Sequence, residues 1–158
     1  MGVVWVMNKA LLLAAASVGV VALHSLQAGP ITAPDLKALI EGMGYTTKAL
    51  NEEKGKEKYE FTIKTEKFNV PIAAEVTPST NYIWFTAFLG ADKDDAVMHT
   101  ALLKQNFKVQ PTVFYVTDKG NLMAGVPVDN RGVTAAVIKR VTDKLAEDVS
   151  KTAEIWSK

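Results

Sequence analysis

From Lys58 to Glu66 the chain reads KYEFTIKTE, and Tyr59, Phe61, Ile63 and Thr65 alternate with charged or polar neighbours. Successive side chains of a strand point to opposite faces, so this pattern demands a strand with one dry face and one wet face. Val70, Ile72, Ala74 and Val76 repeat the alternation. Pro71 lacks an N–H, which places this second strand at an edge or at its own beginning. A short strand is expected over 45–50. NEEKGKEK, with Gly55 as its turn residue, and TPSTN separate these runs. Strands that follow one another through tight turns pair antiparallel.

Helical periodicity brackets the strands. In TAPDLKALIEGMGY, Thr32 can cap, Pro34 suits a first turn and Asp35 completes an approximate capping box. Leu36, Leu39, Ile40 and Met43 then share one helical face, and Gly42 and Gly44 supply the stop. After the strand YIWFTAFLGA a second helix is expected to start near Asp92, where Asp92, Asp94 and Asp95 suit the positive end of the helix dipole. Val97, Met98, Ala101 and Leu102 form its expected inner face. Gln110 to Asp129 reads as a hairpin around Asp118, Lys119 and Gly120. From Gly132 onward a long helix repeats Val133, Val137, Val141, Leu145 and Val149 every four residues. The expected class is α+β, a mostly antiparallel sheet with helices packed on it, in the order α-β-β-β(-β)-α-β-β-α.

The stretch from Met7 has a basic residue at Lys9, an apolar run from Ala10 to Leu23 and small residues near Ala28. That is the layout of a signal peptide over residues 1–28, with Met7 as a possible true start and a cut after Ala28. The run is shorter than the ~20 residues needed to span a bilayer. An exported protein, periplasmic or secreted, is expected; the alternative is anchoring by the uncleaved N-terminal apolar segment. Residues 29–158 are long enough for one domain with a real core. Net charge is +1, and with Lys9 set aside the charges balance. Nucleic acid and anionic membrane surfaces, which need a basic excess, are therefore not expected partners.

Little in the chain carries chemistry. There is no cysteine, which excludes disulfides, thiolate metal sites and a thiol nucleophile. Beyond the leader His99 is the single histidine, and Ser79, Ser150 and Ser157 have no nucleophile-elbow context. DKDD at 92–95 would need Gly and Glu at the sixth and twelfth positions of a calcium loop, which hold Val97 and Leu103. No phosphate-binding glycine loop is present. No enzyme activity, metal or cofactor is expected.

YIWFTAFLGA is the exception to this plainness, because both of its faces are apolar. Helices cover one face of a sheet in most α+β layouts, so either Tyr82–Trp84 or Phe85–Leu89 should face water. Tyr82, Trp84 and Phe88, with Met98 on the following helix, are the candidate protein-binding or dimer surface. An apolar, lipid-like ligand carried between helices and sheet is the alternative.

Leu102 to Trp156 resembles the YbjN-like and type III secretion chaperone-like superfamily. The matching elements are Leu102–Leu103 and Asn106 at a helix end and a hairpin turning at Asp118 and Gly120. Pro127, Arg131, Val133 and Thr134 then lead into a last helix that ends near Trp156. The resemblance implies a non-catalytic α+β domain. In its secretion chaperones, dimers hold an extended client segment along apolar patches. The family's chaperones act in the cytoplasm, so with an export leader it implies a repurposed binding domain, homodimeric, with a protein partner and no catalytic residue.

Overall fold

The computed structural model describes residues 29–158. The expected leader, with its alternative start at Met7, lies outside the described residues. Helix α1 (Ala33–Gly42) is followed by strands β1 (Lys48–Asn51), β2 (Lys58–Lys64), β3 (Asn69–Val76) and β4 (Tyr82–Ala91). Then come α2 (Ala96–Lys108), β5 (Val113–Val116), β6 (Asn121–Asp129), α3 (Ala135–Lys151) and a final turn, α4 (Ala153–Trp156). The strands form one antiparallel sheet in the order β1-β2-β3-β4-β6-β5. The expected α+β class and element order are both observed.

Alternation decides which face is dry. Tyr59, Phe61 and Ile63 of β2 line up with Ala74, Ile72 and Val70 of β3. Ile83, Phe85 and Ala87 of β4 line up with Val128, Val126 and Ala124 of β6. Against this face pack Leu36 and Ile40 of α1, Met98 and Leu102 of α2, and Ile138, Leu145 and Val149 of α3. Each large apolar side chain fully buried there contributes about 1.5–3 kcal/mol. Among the described residues, no helix is long and apolar enough to cross a membrane.

The helix caps follow the side-chain chemistry. Thr32 and Asp35 form a reciprocal capping box at α1. α2 starts later than expected: Asp95, not Asp92, is its cap, accepting from the Val97 and Met98 N–H groups at 2.8 and 3.1 Å. Val97, in the first turn of α2, is 80% exposed and leaves the expected inner face. Thr134 caps α3, which ends at Lys151 rather than running on to Trp156. Pro71 sits inside the sheet order, yet the strand pairing explains it. β3 pairs with β2 from Asn69 to Glu75 but with β4 only from Ala73 to Val76, so Pro71 is locally an edge residue.

Two buried polar clasps join distant segments. The fully buried Asn130 side chain donates to the Ile31 and Thr80 carbonyls and accepts from the Ile31 N–H. It pins the start of the domain to the β3–β4 turn and the end of β6. Buried Asp148 on α3 accepts from the Thr112 hydroxyl at 2.7 Å and from Lys144 Nζ at 2.5 and 2.6 Å. Lys144 also donates to the Val109 carbonyl, so the loop from α2 to β5 is held against α3.

Candidate protein-binding face

Among the described residues the helices all lie on one side, and the other face of the sheet carries none. Tyr82, Trp84, Thr86 and Phe88 of β4 point to it. From their register partners it also receives Pro71, Ala73 and Glu75 of β3, Met123, Gly125 and Pro127 of β6, and Val113 and Tyr115 of β5. Tyr82 is 50% exposed and Phe88 62%; Trp84, Met123, Val113 and Tyr115 are half-buried. The wet half of the face, over β1 and β2, carries Lys48, Lys58, Glu60, Thr62 and Lys64.

Gly125 shapes the middle of this face. A Cβ at that position would lie 3.2 Å from Trp84 Cζ3 and 3.3 Å from the Phe85 carbonyl oxygen. The indole therefore lies across β6 where a side chain would stand, which replaces the packing the glycine lacks. It meets the Tyr115 ring in a T-shaped arrangement, with centroids 6.3 Å apart. Beside this pair is a hollow of about 460 Å³ lined by Lys58, Glu75, Trp84, Thr86, Val113 and Tyr115. Lys58 Nζ lies 3.4 Å from a Glu75 carboxylate oxygen. Burial, and then the Glu75 charge, pushes the Tyr115 phenol above its usual pKa. The hydroxyl oxygen of Thr86 is buried with no hydrogen-bond partner.

One corner of the face is charged. Asp129, opposite Tyr82 on β6, accepts from the Arg131 guanidinium and backbone N–H. These bonds hold the Asp129 pKa down to about 2.

The structure brings Tyr82, Trp84 and Phe88 together on this face and does not bring Met98 to it. Met98 is 7% exposed and packs in the core below α2, because it shares the inner face of α2 with Leu102, one turn further on. What α2 exposes instead is Leu103 at 67% and Phe107 at 83%. With His99 and Val116, Leu103 flanks a small apolar groove between α2 and β5. Sequence reasoning passed over Leu103 and Phe107, although they stand one turn apart and off the Met98–Leu102 face. It also passed over Tyr115, Met123 and Gly125, whose side of the sheet depends on a hairpin register that apolar residues on both faces leave open.

No protein-family model and no curated protein matches the chain. Among solved structures it is similar to a chain of the heterodimeric ExoU–SpcU complex from the type III secretion system of Pseudomonas aeruginosa. That match has 16% identity, 77% of this chain and 97% of the other covered, and a TM-score of 0.48. It is also similar to a chain of the HopA1–SchA chaperone–effector complex, at 11% identity, 71% and 84% coverage and a TM-score of 0.49.

Proposed function

We propose that this chain is an exported, non-catalytic, chaperone-like domain whose helix-free sheet face captures an apolar or extended segment of another protein, and that it acts as a homodimer. The carrying observation is the row of Tyr82, Trp84 and Phe88 on the face that no helix among the described residues covers. Exposed apolar surface of this kind marks an interface, and aromatic side chains are its usual energetic anchors. The sequence from Met7 to Ala28, read as an export leader, is the support for action outside the cytoplasm. The protein reading is favoured over a lipid carrier because the layer between helices and sheet is filled by Leu36, Ile72, Phe85, Ile138 and Leu145, all with no exposed surface.

Self-association has a separate candidate surface. α2 runs from the acidic Asp94 and Asp95 to the basic Lys104 and Lys108. Two copies packed with these helices antiparallel would set each basic end against the other copy's acidic end. The same contact would cover Leu103 and Phe107.

The test uses a permanently unfolded client, reduced and carboxymethylated α-lactalbumin, in fluorescence anisotropy. Tyr82→Ser with Phe88→Ser removes two apolar side chains that are half or more exposed. Client affinity should fall at least about tenfold, ~1.4 kcal/mol, with the melting temperature little changed. Unchanged affinity in the double variant would sink the reading.

A further inference from the structure

We propose that the hollow beside Trp84 is the receptor for an arginine side chain of the bound protein segment. This rests on the protein-binding reading of the open face and names one residue type that the partner must present. Two features converge on the guanidinium group. Trp84 and Tyr115 form an aromatic wall, and the negative π face of such rings attracts a planar cation that can stack on it. Glu75, on the strand beside Trp84, brings a carboxylate to the same hollow, the group that guanidinium binds through paired N–H donors. Thr86 closes the floor of the hollow, its hydroxyl oxygen buried beneath the surface.

An apolar occupant would leave the Glu75 carboxylate unanswered. An acidic occupant would face the Glu75 carboxylate. Lys58 is the competing cation, 3.4 Å from Glu75 across a contact in which both side chains are partly exposed. Such pairs are weak, and an incoming guanidinium can displace it.

The experiment titrates ¹⁵N-labelled protein with N-acetyl-arginine methylamide and follows the backbone amides of Thr86 and Gly125 and the Trp84 indole N–H. Parallel titrations use the lysine analogue and the neutral citrulline analogue. The arginine compound should shift these signals saturably and bind about tenfold tighter than citrulline, with lysine weaker than arginine. Glu75→Gln should weaken arginine about tenfold, and Lys58→Gln should strengthen it. Citrulline or lysine binding as tightly as arginine, shifts confined to another face, or indifference to Glu75→Gln overturns the assignment. Both variants lie on the surface, and the spectra themselves report that the fold is kept. The unfolded client then separates the two proposals. If its binding needs Phe88 while arginine binding is absent, only the inference falls. If arginine binds while the client ignores Tyr82→Ser with Phe88→Ser, the reading of the face falls.

Discussion

Gly125 and Trp84 act as one unit, and the glycine is the more constrained of the two. Its backbone is not in the left-handed region, so alanine is conformationally admissible and would gain about 0.4–1 kcal/mol through the unfolded chain. The added methyl would meet both the indole and the Phe85 carbonyl oxygen. The indole can tilt outward; the backbone oxygen cannot. Overpacking of this kind costs about 1–3 kcal/mol, so Gly125→Ala should come out about 1 kcal/mol less stable in urea titration. Its Trp84 indole signal should move. His99 offers a second residue-scale check. Its Nε2 lies 2.7 Å from Asp92 Oδ1, and that bond, with the nearby Asp94 and Asp95 charges, raises its pKa above the ordinary value near 6.5. A raised histidine pKa stabilises the fold below the unfolded value, and the contribution fades as pH rises through the folded value. The His99 titration midpoint by NMR should therefore lie above ~6.5, and Asp92→Asn should lower it. The melting temperature of the unsubstituted protein should lose this contribution as pH rises above ~6.5, a loss that Asp92→Asn should reduce, since Asp94 and Asp95 remain.

Strand β5 ends the sheet, and an end strand exposes hydrogen-bonding groups that invite another strand. Asn106 answers this at one position. Its side-chain amide accepts from the Phe114 N–H at 2.7 Å and donates to the Phe114 carbonyl at 3.1 Å, as a paired strand residue would. Asn106→Ala should expose both groups and cost about 1–3 kcal/mol, with faster hydrogen exchange at the Phe114 amide as the direct reading. An unchanged exchange rate would show that the cap has no stabilising role. The element scale also shows where the residues spoke plainly and where they did not. The alternation of Tyr59 to Ile63 and the Thr32–Asp35 box each had one physical solution, and the structure contains it. The start of α2 had three aspartates competing for the cap. Asp95 took it and Asp92 turned to His99, and Val97, in the first turn, lies outside the core. Met98 stayed in, which removes it from the surface where a reading of the strand and helix together had put it.

At the scale of the whole molecule, a count of apolar residues could not say which side of β4 was covered, because Tyr82–Phe88 and Ile83–Leu89 are equally greasy. The decision came from elsewhere. Ile83 faces Val128 and Phe85 faces Val126, while their neighbours Trp84 and Thr86 face Pro127 and Gly125. Only the first set gives α3 a continuous apolar floor. The uncovered set is then available to another molecule, and so are Leu103 and Phe107 on α2. These two surfaces lie on different sides of the fold, one on the open sheet face and one beside β5, so a homodimer through α2 would leave both sheet faces free for clients. That arrangement makes a separable prediction. The purified protein should run as a dimer in light scattering behind a sizing column. Leu103→Glu with Phe107→Glu should make it a monomer with little change in melting temperature, because both side chains are already mostly exposed. Tyr82→Ser with Phe88→Ser should keep the dimer and lose the client. A dimer broken by the sheet-face variant instead would mean that the aromatic row is consumed by self-association. A monomer in the unsubstituted protein would return α2 to the list of client-binding surfaces.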